Sequence, residues 1–137
     1  MAKVRSWVGL DVHARSVLAV MIDGESGELR SRKLSGTTSE VVEFCCSLPG
    51  RARVAYEAGP TGYGLARALE LAGVGCVVAA PGKIERPAAD KVKTDQRDAE
   101  RVLRLLMIDG LHAVRVPSSE EEALRIWCVR VRRCAGI

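Results

Sequence analysis

The first 34 residues constrain the fold most tightly, because they hold three β-forming runs joined by connections too short for a crossover. Ser6 to Val12 (SWVGLDV) is followed by Ser16 to Ile22 (SVLAVMI), and the turn DGESG leads on to Glu28 to Leu34. Strands linked so closely run antiparallel, so an opening meander is expected. Thr37 or Thr38 then stands where a helix cap belongs, ahead of Val41, Val42, Cys45 and Leu48 at helical spacing, and Pro49-Gly50 ends that helix. Arg53 to Tyr56 reads as a short buried strand, Thr61 as the cap of the helix GYGLARALELAG, Gly73 as its close, and Val74 to Ala80 as another buried strand. Strand, helix, strand is a parallel crossover. The expected class is therefore α/β, a mixed five-stranded sheet with its first three strands antiparallel and helices flanking it.

After Pro81 the chain turns polar and basic (KIERPAADKVKTDQRD), a loop feeding a helix whose apolar side carries Ala99, Val102, Leu103, Leu105 and Leu106. Asp109-Gly110 stops that helix. Pro117, a serine cap and a run of glutamates then open a last one, whose far end, IWCVRVRRCAGI, holds no acid. Length and charge bound the rest. At 137 residues the chain has the size of one domain, and 21 basic against 17 acidic side chains give +4, which favours polyanionic partners. No stretch approaches the ~18 to 20 apolar residues of a membrane span, and the N-terminus enters a strand pattern without a leader, so a cytoplasmic location and no membrane partner are expected. The five cysteines, with Cys45 and Cys46 adjacent, are expected as reduced thiols and Cys76 as a small core residue.

Four carboxylates carry the chemical interest. Asp11 is the charged residue of the first strand pattern, and Glu57 ends the strand before AGPTGYG. An acid at a strand end also serves to cap a turn. Asp95 and Asp98 lie three apart, on one helix face, where like charges repel unless a cation joins them; capping by Asp95 and a dipole contact by Asp98 is the plain alternative. Taken together, two acids at the exits of the first and fourth strands and a pair opening a later helix suit a hard cation held by oxygen ligands. Lys83, Arg86, Lys91, Lys93 and Arg97 bracket the pair and suit substrate phosphates or a solvated surface. GPTGYG is read as a tight turn ahead of a phosphate loop, and His13 and His112 as structural or surface residues, although His13 lies within reach of Asp11.

The segments GLDVHARSVLAVMID, YEAGPTGYGLARAL and KTDQRDAERVLRLL together resemble the N-terminal domain of the DEDD transposases of bacterial insertion sequences, the insertion-sequence-one-ten family, related in fold to the RuvC Holliday-junction resolvase. The likeness runs from about Trp7 to Arg125. It implies a ribonuclease-H-like (RuvC-like) sheet, with Asp11, Glu57, Asp95 and Asp98 as the catalytic and metal-binding D, E, D and D. It also implies Mg²⁺ or Mn²⁺ as cofactor and, as partners, DNA, a structured guide RNA and further copies of the chain in a homodimer or higher oligomer. On this reading residues 1–117 form the transposase domain and 118–137 begin a helical extension, truncated or frameshifted, with the family's C-terminal serine domain absent. A non-catalytic nucleic-acid-binding or dimerisation module is the alternative. A fragment of an actin-like sugar kinase is less favoured, because such enzymes need two large lobes around ATP.

Overall fold

The structure, a computed structural model, describes residues 3–80 and 95–134, leaving aside the side chains at 95, 126 and 128–134. Strands β1 (Val4–Val12), β2 (Ser16–Asp23) and β3 (Leu29–Ser35) form the expected meander, each longer than its apolar run because ladder bonds extend into the polar flanks. Helix α1 (Thr38–Cys46) follows, then β4 (Arg51–Glu57), α2 (Gly64–Leu71), β5 (Gly75–Ala79), α3 (Asp95–Met107) and α4 (Ser119–Cys134). The sheet order is β3-β2-β1-β4-β5, with β4 parallel to both β1 and β5. The expected five-stranded α/β class holds. Among the described residues no helix is long and apolar enough to cross a membrane.

Strand alternation sorts the core into two faces. Val8, Leu10, Val17, Ala19, Val54, Tyr56 and Val78 point to one side, where α1 and α2 cover them with Val41, Phe44, Cys45, Ala66 and Leu69. Trp7, Val20, Ala55 and Val77 point to the other, under Ala99, Val102, Leu103 and Leu106 of α3. The helical pattern of α1 thus has Phe44 as a core position beside Cys45, and the Arg32 guanidinium lies 5.5 Å from its ring centre. Burial pushes the Cys45 and Cys76 thiols up to about 12, which keeps them protonated and inert at neutral pH, and Cys45, Cys46 and Cys76 are free thiols.

Two caps differ from expectation. Thr37 precedes α1 without a side-chain cap bond; its hydroxyl instead meets Ser35 Oγ at 3.0 Å. Thr61 does not cap α2 either, because the turn closes earlier, with the Gly62 amide donating to the Gly59 carbonyl at 3.1 Å and Gly62 at φ +80°, so that the helix starts at Gly64 behind Tyr63. Tyr56 takes part from below, its buried hydroxyl accepting from the Ala66 amide at 3.1 Å. Ser118 does cap α4, accepting from the Glu121 amide at 3.1 Å.

Candidate carboxylate site

The last paired residues of β1 and β4 are Leu10 and Tyr56, and Asp11 and Glu57 each lie one residue beyond. Leu10 and Tyr56 face the α1 and α2 side, so alternation sends Asp11 and Glu57 to the α3 side of adjacent parallel strands, at the same end of the sheet. Both are half-buried. His13 leaves the strand end and turns back, its Nε2 lying 2.9 Å from Asp11 Oδ2. The Asp11 side chain is 16% exposed and that of His13 53%, so the imidazole shields one edge of the carboxylate from water.

Helix α3 comes down onto this face at Gly9. A Cβ at that position would strike the Ala99 carbonyl oxygen and would lie 2.8 Å from the Leu103 nitrogen and 2.9 Å from Leu103 Cβ, so only a glycine lets the helix backbone touch the strand. Asp98, also half-buried, is the residue before Ala99. The contact at Gly9 therefore brings the first turns of α3 over the strand end that carries Asp11 two residues later. Asp95 is the first residue of α3, one turn ahead of Asp98. Its side chain, and Lys83, Arg86, Lys91 and Lys93 altogether, lie outside the described residues. Arg97 is exposed on the opening turn. Asp11, Glu57 and Asp98 are thus brought to one end of one sheet face, but among the described residues no three His, Cys, Asp or Glu side chains form a group close enough to hold a metal ion.

The glycine-rich loop has a separate occupant. Glu122, from α4, reaches the start of α2, where its Oε1 accepts from the Tyr63 amide at 3.2 Å and its Oε2 meets Arg67 Nη2 at 2.6 Å. Arg67 also donates to the Pro117 carbonyl at 2.9 Å. A carboxylate from the chain itself thus sits at the helix N-terminus that an anion would favour, in agreement with the tight-turn reading. Sequence reasoning missed this contact because Glu122 was visible only as one of three acids at a helix start.

The Arg67 bond, ahead of the Tyr63 amide, holds the Glu122 carboxyl below the usual carboxylate range, and desolvation opposes it. A depressed carboxyl contributes stability that is present above its unfolded pKa, about 4.3, and is lost as pH falls through the lower folded value. Glu122→Gln should therefore cost about 1 kcal/mol at neutral pH and give an unfolding midpoint less sensitive to acid below about pH 4.3. Urea midpoints measured across that range check it, and parallel pH profiles for the two proteins would refute the role given to the pair.

A family model described as a transposase, of DEDD and IS110 type, matches residues 8–135. Over 135 residues the chain is 38% identical to y4qE of Sinorhizobium fredii, a protein named for a transposase, in an alignment covering 88% of this chain and 32% of that one. Over 132 residues it is 36% identical to the transposase for insertion sequence element IS1533 of Leptospira borgpetersenii, covering 90% of this chain and 37% of that one. The chain spans about a third of the length of the curated relatives it matches.

Proposed function

Since the chain belongs to the DEDD transposase family of IS110 type, we propose that it works as the domain of such a transposase that holds a DNA phosphodiester against a carboxylate site. The observation that carries this reading is the placement of Asp11 and Glu57 side by side on one face, at the exits of two adjacent parallel strands, beneath the helix that opens with Asp95 and Asp98. Like charges on neighbouring strands destabilise a sheet, so a fold that keeps them has a use for their field. The donors are carboxylate oxygens, which suit a hard divalent cation, Mg²⁺ or Mn²⁺. Asp11 and Asp98 would hold it, with Glu57 and Asp95 completing the set. Bound there, the cation supplies neutralisation and polarisation of a phosphoryl oxygen.

The residues of the chain do the remaining work. Asp11 is kept in one orientation by His13, Glu57 by its place at the strand end, and Asp98 by the seating of α3 on Gly9. Arg97, with Lys83, Arg86, Lys91 and Lys93 of the preceding segment, would position phosphates. In this reading residues 1–117 form the domain and 118–137 a helical extension, and strand exchange with a guide RNA and an oligomer is what a whole transposase of the family would add.

Titration with Mn²⁺, followed through the loss of the free-ion paramagnetic signal, tests the site. Asp11→Asn should weaken binding at least about tenfold, equivalent to about 1.4 kcal/mol. Equal affinity and stoichiometry in the variant would remove the metal site and favour a non-catalytic nucleic-acid-binding module.

A further inference from the structure

Beside the carboxylate end a cleft of about 700 Å³ opens between α3 and the edge of β5. Its sheet-side wall is Ala79, the last residue of β5, with Ala80 after it, and Ala79 pairs with Glu57, so the cleft begins at the carboxylate-bearing strand end. The far wall is pinned to the sheet edge, the Ala80 amide donating to the His112 carbonyl and the Val114 amide to the Val78 carbonyl, both at 2.8 Å. The α3 wall presents Arg97, Arg101 and Arg104, at positions i, i+4 and i+7, and Glu100 as its acid. Glu100 is engaged by Gln96 Nε2 at 3.2 Å.

Arg101 is the telling residue. Its Nη1 is shut off from solvent and has no hydrogen-bond partner among the described residues. A buried guanidinium donor without an acceptor is costly, and because Arg101 also lines the cleft, a turn of its guanidinium toward an oxyanion bound there would relieve it. The stripe is about 10 Å long, seven rises of about 1.5 Å from Arg97 to Arg104, so its length calls for more than one anionic group. No Phe, Tyr or Trp lines the cleft among the described residues, and His112 contributes a single small ring, so the surface offers mainly charge and forked donors to a backbone.

We propose that this cleft binds the phosphate backbone of a nucleic-acid strand, with Arg101 and Arg104 as its contacts, and leads that strand toward the carboxylate end without regard to sequence. The direction of the strand rests on the function proposed above; its binding does not.

The test is fluorescence anisotropy of a labelled single strand of mixed sequence with the full chain, in EDTA so that no cation contributes, between about 50 and 200 mM salt. The double substitution Arg101→Gln and Arg104→Gln should weaken binding at least tenfold at the lowest salt and reduce the log–log salt slope by about 1.4, two contacts at about 0.7 each for a single strand. Arg101→Lys with Arg104→Lys should retain most of the slope, since charge persists, and strands of unrelated sequence should bind alike. Wild-type affinity and slope in the glutamine variant would overturn the proposal, as would equal losses in the lysine and glutamine variants or no binding by the unaltered chain. An unchanged strand affinity beside an intact Mn²⁺ site sinks the cleft alone, whereas arginine-dependent strand binding without Mn²⁺ binding sinks the metal reading alone.

Discussion

Valine at position 9 should unseat α3 and cost at least about 3 kcal/mol, the upper end of the usual range for an overfilled core. A larger side chain is normally accommodated by rotation or by a small shift of a neighbouring side chain. Here the obstacle is the backbone of α3 at Ala99 and Leu103, which moves only if the whole helix does. Total stabilities of ~5 to 15 kcal/mol leave little to absorb such a loss. Trp7 and Val20 on the sheet, with Ala99 and Leu103 on the helix, would part together. A lowered urea midpoint and a red-shifted Trp7 emission are the expected readings, taken in a Trp127→Phe background because Trp127 is exposed. An unchanged midpoint would mean that the helix is not seated on Gly9.

Glu57→Gln should have the opposite profile, with the proposed Mg²⁺-dependent cleavage of a phosphodiester falling about 10³-fold, an effect of about 4 kcal/mol, and the melting temperature unchanged or raised. The glutamine keeps the volume of the side chain and removes one of two like charges on neighbouring strands. Glu57 pairs with Ala79 through its backbone, and among the described residues its side chain makes no hydrogen bond or ion pair, so no folded-state partner is lost with the charge. A stability gain alongside a functional loss marks a group retained for chemistry. Should the melting temperature fall together with activity, Glu57 is a structural residue and the carboxylate reading loses one of its members.

How far these features were legible in the sequence depended on the range of the interactions. The meander could be read because period-two runs and glycine turns are local, and the crossover because Gly73, at φ +83°, closes α2 where the pattern ends. The place of Asp11 and Glu57 at two strand exits could be read from where the apolar runs end, whereas the face they share needed the register of β1 and β4. The capping of α2 could not be read that way, since it depends on Glu122, 59 residues from Tyr63. Phe44 was missed because Cys45 and Leu48 already satisfied the helical template. The cleft was equally hidden: the arginines of RVLRLL look like a solvated helix side until β5 and residues 110–112 are set opposite them.

The bond from Glu122 to the start of α2 also bears on the order in which the molecule is built. Closing a chain segment of that length carries an entropic penalty that neighbouring turns do not, so α4 is expected to gain its place only after β4 and α2 have met. What docks last on such a scheme is the first to be released when the molecule breathes. The Tyr63 amide, held by a carboxylate from far along the chain, would then trade its hydrogen for solvent deuterium each time α4 lifts, while the amides of β1 at the centre of the sheet keep theirs.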